Sequence, residues 1–291
     1  MQKENFKKGA IVKVKLWGAR GTIAIPRPET RRYGVNTPCV QVDAADAEPL
    51  ILDGGMGLHW LGDALGKGIF GKGQGRAHLL ISHTHWSHIQ GIPFCMPMLV
   101  PGNSFTIHGR GGQRSIRELL LDQMQPTYCP VPNFFCAQIG AQVSVQELAD
   151  APLILGPLHI EHAELGSAHD GPCTAYRISD GQSTLAYMPA VEYMDAAVQD
   201  RAIKLARNAD LLIHDAHYSD EEYETKCGRG HSSPRHAVDT ALRAKARRLV
   251  LFNHHPERTD TEIDTIAATY TSDTLLVEAA REGCEYNLKE D

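Results

Sequence analysis

Apolar residues alternate with polar ones, or run together between Gly, Asp and Pro, at 11–18 (IVKVKLWG), 39–44 (CVQVDA), 50–53 (LILD) and 77–82 (AHLLIS). This period of two predicts β-strands. The same signature recurs at 157–165, 174–179, 183–188, 210–215, 248–253 and 284–288. Between these stretches, apolar residues spaced three or four apart predict amphipathic helices at 56–66, 115–124, 194–209, 233–246 and 260–270. Strands and helices interleave in both halves, and the Gly/Pro-rich pieces are short enough to be loops. The pattern therefore predicts one α/β domain over 1–291, its sheets sandwiched by helices. Polar residues with chemistry fall at predicted strand ends: Asp53 after LIL, His83 after LLIS, His214 after LLI and Asn253 after LVLF. Loops leaving one sheet edge converge, so these residues are expected to share a cleft.

Composition narrows the class. With 291 residues, 42% hydrophobic and 22% charged, the chain can bury a large core. It has no run of 18 apolar residues, and its start, MQKENFKKGA, lacks the apolar stretch of a secretory signal. The expectation is a cytoplasmic protein without a membrane partner. Seven scattered cysteines, never paired as C-x-x-C, read as reduced and mostly buried thiols, which argues against a thiolate zinc site. A net charge of -6 gives no basic footprint for duplex nucleic acid, and RAKARR at 243–248 reads as a solvated helix face. Histidine departs from the average: 15 residues, gathered around 83–88, 159–169, 214–217, 231–236 and 254–255.

The densest group is ISHTHWSHIQG, where His83 and His85 follow a strand as H-x-H and His88 comes three residues later, at the start of a helical turn. Imidazoles so spaced approach one point from a rigid corner. Neutral imidazole suits zinc, iron or manganese, and a three-histidine site with an open position can acidify a bound water to a pKa of about 7. Ser87 stands where a fourth ligand would be expected. Asp53, beside the glycines of LDGGMG, reads either as a turn-forming aspartate or as a group acting beneath the metal loop. His231 precedes a helix whose predicted cap is Ser232 or Ser233, with Pro234 in its first turn, and such an N-terminus attracts phosphate. Trp86 walls the cleft or packs in the core.

These pieces, in one order, resemble the metallo-β-lactamase superfamily, and within it the phosphodiesterase-like branch related to tRNase Z. The resemblance rests on LWGARGTI (16–23), YGVNTPCV (33–40), LILDGGMGL (50–58), ISHTHWSHIQGIPF (81–94), HDGPCTAYRI (169–178), LLIHDAHYSDEEY (211–223), GHSSP (230–234) and LVLFNHHPERTD (249–260). It implies an αββα sandwich with a metal cleft at the sheet edges. For the first metal it implies His83, His85 and His169 as ligands. For the second it implies His88, but Ser87 stands in place of an aspartate and Ala190 in place of the bridging aspartate. The final ligand falls on Asn253, or on His254 if the register shifts by one. The resemblance further implies that Asp53 orients histidine ligands, and that His231 and Ser232 meet the substrate, His231 protonating a leaving oxygen.

The implied function is hydrolysis of phosphodiester or related ester bonds. One divalent metal would be held, zinc first, with manganese or iron as alternatives; the second metal would be weak or absent and activity reduced. The alternative is a catalytically silent protein that binds a nucleotide or other phosphate ligand. An iron-dependent redox or oxygen-binding role ranks third. Glu192, His217 and His255 lie near the expected cleft loops as substitute ligands. The expected partner is a small phosphate-containing or ester ligand rather than folded RNA, because the acidic chain has no long basic arm. A homodimer is left open.

Overall fold

In the computed structural model, which describes residues 13–127, 129, 140–168 and 171–288, the alternating segments pair into two seven-stranded sheets. The first is built from β1 (Lys13–Gly18), β2 (Cys39–Asp43), β3 (Leu50–Leu52), β4 (Arg76–Leu80), β5 (Ser104–Gly109) and β6 (Gln142–Glu147). The second comprises β7 (Leu153–Leu155), β8 (Leu158–Ala168), β9 (Gly171–Ser179), β10 (Thr184–Met188), β11 (Leu211–Asp215), β12 (Arg248–Phe252) and β13 (Leu276–Ala279). The last strand, β14 (Glu285–Asn287), returns to pair with β1, so the first sheet runs β14-β1-β2-β3-β4-β5-β6 and the second β13-β12-β11-β10-β9-β8-β7.

Strand patterning explains the layers. β1 alternates, with Val14 and Leu16 buried, because only one of its faces meets the other sheet. β11 and β12 lie in the parallel half of the second sheet, covered on both faces, and read as nearly continuous apolar runs. One core lies between the sheets around Val14, Leu52, Tyr176 and Phe252. A second lies outside the first sheet, where α1 (Gly57–Gly66) supplies Leu58 and Leu61 and α3 (Ile116–Asp122) supplies Ile116 and Leu120. A third lies outside the second sheet, beneath α4 (Ala196–Ala206) and α6 (Pro234–Ala244). The remaining helices are α2 (Trp86–Ile89), α5 (Asp220–Lys226) and α7 (Asp260–Tyr270). This is the αββα arrangement that the resemblance implies, and it agrees with the interleaved pattern of strands and helices. β5, β6, β7, β13 and α5 were not predicted; β7 is only three residues and α5 buries none of its own. No helix among the described residues is long and apolar enough to cross a membrane.

Three bonds fix which edges coincide. The Tyr187 hydroxyl, one residue before the end of β10, donates to Asp53 Oδ2 at 2.7 Å. The Tyr176 hydroxyl donates to Ile81 O at 2.6 Å, and the Thr174 amide donates to Ser82 O at 2.8 Å. The ends of β3 and β4 therefore sit over the end of β10, whose parallel neighbours β11 and β12 finish at the same edge. Because Tyr187 and Asp53 are both fully buried, the Tyr187→Phe variant is expected to lose about 1–3 kcal/mol of stability, the range for a buried bond to a charged group. Urea unfolding measures this, and a midpoint indistinguishable from the parent's would show that the bond contributes nothing.

Candidate active site

On the first sheet the chain leaves β4 through Ser82 and His83, and His85 becomes the N-cap of the short helix α2. Asp53, just past β3, takes the left-handed conformation (φ 61°) with a carboxylate that solvent does not reach. Its Oδ1 accepts the Ser82 amide at 2.8 Å; its Oδ2 accepts the Ser82 hydroxyl at 2.9 Å and the Tyr187 hydroxyl, and lies 2.8 Å from His88 Nδ1. A carboxylate on Nδ1 favours the tautomer in which Nδ1 carries the proton and Nε2 is the acceptor nitrogen of His88. The glycines of LDGGMG permit this approach. The Gly54 amide donates to His88 O and the Gly91 amide to Gly54 O, while a Cβ on Gly55 would stand 2.3 Å from Ser87 O. The His83 ring centre lies 4.1 Å from that of His88 and 6.1 Å from that of His85, to which it is nearly parallel. Ser87, buried, places its Oγ 3.0 Å from His85 Nδ1.

The second sheet contributes the facing set. Asp215 ends β11 and Asn253 follows β12, again left-handed (φ 60°). Asp215 Oδ1 accepts Asn253 Nδ2 at 2.9 Å and lies 3.2 Å from His231 Nδ1. Its Oδ2 accepts the Ser232 amide at 2.5 Å and the Ser232 hydroxyl at 3.0 Å. Burial alone would raise the Asp215 pKa, but His231, His217 and the Ser232 amide outweigh it and hold the carboxyl below its ordinary range. The Asp215 side chain is inaccessible, whereas that of His231 keeps 19% exposure. The His217 ring stacks on His231 with centres 4.3 Å apart and lies 5.0 Å from His255. Burial, and then the neighbouring His231, push His217 down to about 3, so it is a neutral imidazole with Nδ1 on Asn253 O at 2.8 Å. Glu192 clamps the loop before His231 by accepting the amides of Gly228 and Gly230, two positions at φ 90° and 81° that glycine tolerates.

Measured against the sequence expectations, the placements divide. His83, His85 and His88 share one corner with Asp53; His169 lies outside the described residues. Among the described residues, no three His, Cys, Asp or Glu side chains are arranged to hold a metal ion by themselves. Ser87, His88 and Ala190 are all buried. Of the two candidates for the last ligand, the Asn253 side chain joins Asp215, while His254 places Nε2 3.0 Å from Ala280 O. The cap of α6 is Ser233, with Pro234 after it.

Ser232 needs correcting. It is fully buried, its hydroxyl donates to Asp215 O at 2.8 Å, and so it braces the His231 loop instead of facing a ligand. Trp86 does not pack in the core; it is 67% exposed. Glu192 is engaged by two amides, so it is not poised to replace a missing ligand, whereas the bond of His217 Nδ1 to Asn253 O leaves its Nε2 as a candidate donor. His214 and Asp215 are both fully buried and hydrogen-bonded beneath the site: Asp215 bonds His231, and His214, pushed down to about 4 by burial, bonds the Tyr193 hydroxyl at 2.7 Å. The Asp215–His231 pairing had no signal in residue spacing, since 16 positions separate the partners.

A family model described as a beta-lactamase superfamily domain matches residues 72–255. A ribonuclease Z of Thermoplasma acidophilum is 39% identical over 90 residues, which is 30% of this chain and 29% of that protein. This alignment thus spans less than a third of that relative's length. A ribonuclease Z of Haloferax volcanii is 27% identical over 254 residues, covering 73% of this chain and 75% of that one. Among solved structures, the metallo-beta-lactamase fold protein YhfI from Bacillus subtilis superposes with a TM-score of 0.67 at 23% identity, over 95% of this chain and 99% of that chain. At that identity the likeness speaks for the fold alone.

Proposed function

Because this chain belongs to the beta-lactamase superfamily, we propose that it is a metal-dependent hydrolase of phosphodiester or related ester bonds with a single firm metal position. The observation that carries the reading is the Asp215–His231 pair, set at the same sheet edge as the His83, His85 and His88 corner. His83, His85 and His169 would hold the ion, zinc first and manganese or iron next. When bound, such an ion polarises a phosphoryl or carbonyl oxygen and acidifies water. Asp53 keeps His88 in one tautomer. His231, with Nδ1 turned to an ionised Asp215, is oriented to deliver a proton from Nε2 to the leaving oxygen, the acid half of general acid–base catalysis. Ser232, Asn253 and Glu192 hold that pair in place.

The named relatives are ribonucleases, but with a net charge of -6 a small phosphate-containing or ester ligand in the cytoplasm is favoured over folded RNA. A second reading, a silent binder of phosphate ligands, is favoured by one fact: Ser87, Ala190 and Asn253 together bring no carboxylate to the second metal position.

The test is elemental mass spectrometry on protein purified without chelator, followed by turnover of bis(p-nitrophenyl) phosphate at saturating Mn²⁺ or Zn²⁺. The expected result is about one ion per chain. Turnover is expected to disappear in His85→Ala and to fall roughly 10²–10³-fold in His231→Ala. No turnover, with tight nucleotide binding, would replace the hydrolase by the binder.

A further inference from the structure

Helix α2 has two unlike sides. Ser87, His88 and Ile89 are buried against Asp53 and the strand ends, whereas the Trp86 indole stands 67% exposed. That indole walls a hollow of about 410 Å³ whose other sides include Met56, Pro93, Phe94, Met96 and Leu99. Phe94 and Met96 are each 53% exposed, which is unusual for side chains of this kind placed so close together. Among the described lining residues none is an acid, a lysine or an arginine. Two of its polar atoms are turned to protein: Gln90 Nε2 donates to Thr37 Oγ1 at 2.9 Å, and His59 Nδ1 lies 3.3 Å from Phe94 O.

Water in such a hollow would find few partners, whereas an apolar ring would cover aromatic and thioether surface suited to it. A cavity of about 150 Å³ holds benzene, so this one has room for two fused rings. Concave, mostly apolar hollows of several hundred Å³ are the usual seats of small molecules. The wall residue Trp86 directly follows His85. We infer that this hollow seats a flat, uncharged aromatic group of the ligand, so that the ester cleaved next to it is an aryl phosphodiester or aryl ester. The identity of the bond rests on the proposed hydrolase; the occupancy of the hollow does not.

The experiment therefore separates the two. Protein as purified is titrated by calorimetry with 2-naphthol, 2-naphthyl phosphate and methyl phosphate. Saturable one-to-one binding of 2-naphthol is expected, weakened at least tenfold in Phe94→Glu and in Met96→Glu, whose side chains are exposed enough to change without unfolding the chain. Trp86→Ala is expected to weaken it likewise, and methyl phosphate is expected to bind at least tenfold more weakly than 2-naphthyl phosphate. His231→Ala should leave 2-naphthol binding unchanged. Absence of saturable 2-naphthol binding, or binding indifferent to all three substitutions in the hollow, overturns the inference. So does a dimer that excludes 2-naphthol and dissociates in the same variants, which would assign the hollow to a second copy. Binding as expected, with no ester hydrolysed, would overturn the hydrolase alone and leave the aromatic site standing.

Discussion

The double variant Ser87→Asp, Ala190→Asp is expected to bind a second divalent ion and to hydrolyse bis(p-nitrophenyl) phosphate at least a hundredfold faster than the parent at saturating Mn²⁺. Both positions are in place for this. Ser87 is buried on α2 between His85 and His88, and Ala190 is buried two residues beyond the end of β10, on the opposite sheet at the same edge. His88 has its Nδ1 fixed by Asp53, so on the proposed reading one nitrogen donor of a second position would be pre-oriented. What that position would lack is negative charge: a hydroxyl and a methyl cannot offset a divalent cation, whereas two carboxylates can. A second ion would clamp the attacking and leaving oxygens together. The same carboxylates, buried without metal, would be costly, so chelator should lower the melting temperature of the double variant more than that of the parent. Elemental mass spectrometry gives the stoichiometry. One ion per chain in the double variant, or two in the parent, would show that Ser87 and Ala190 are not what weakens the second position.

The legibility of the fold and of the site differ for a physical reason. Period-two and period-3.6 patterns are local, so strands such as β1, β2 and β10 and helices such as α1, α6 and α7 fell within a few residues of their predicted bounds. β7, three residues with Ile154 exposed between two half-buried leucines, leaves almost no pattern to read. The histidine corner was legible because its members are close in sequence and follow a buried strand. The Asp215–His231 pairing was not, because Asp215 and Asn253 close two neighbouring strands whereas His231 lies in the loop before α6, and the three meet only in the folded chain. Ser232 was misread for the same reason. A serine before a helix looks like a cap or a phosphate contact, and only the tertiary placement of Asp215 turns its hydroxyl inward. Arg20 is a further case: fully buried, it donates to Gly34 O, Thr30 O and Arg258 O and so ties the loop after β1 to the loop after β12. Nothing local in GARGT announces that.

Stability is expected to fall steeply between pH 6.5 and 4, driven by histidines and not by carboxylates. His214, His217 and His254 are buried and are pushed down to about 4, 3 and 3, in each case chiefly by burial; His108 is pushed down to about 4 for the same reason. The unfolded chain titrates these groups near 6.5. Above that pH they are neutral in both states and contribute nothing to the pH dependence. Below it, the unfolded chain binds protons that the folded chain refuses, so unfolding gains ground as pH drops. Asp215 acts in a lower window: its pKa is depressed, so its stabilisation is present above about pH 4 and is lost only as pH falls through the folded value. Proton uptake on unfolding should thus approach four near pH 5. The accompanying loss between pH 6.5 and 4 is on the order of 10 kcal/mol, comparable with the whole stability of many domains. Urea midpoints across this range, with protons counted from the slope, measure it. In His254→Gln, whose amide can still donate to Ala280 O, the uptake should drop by about one proton. An uptake of one proton or fewer in the parent would mean that these rings accept charge inside the fold, and that water reaches them.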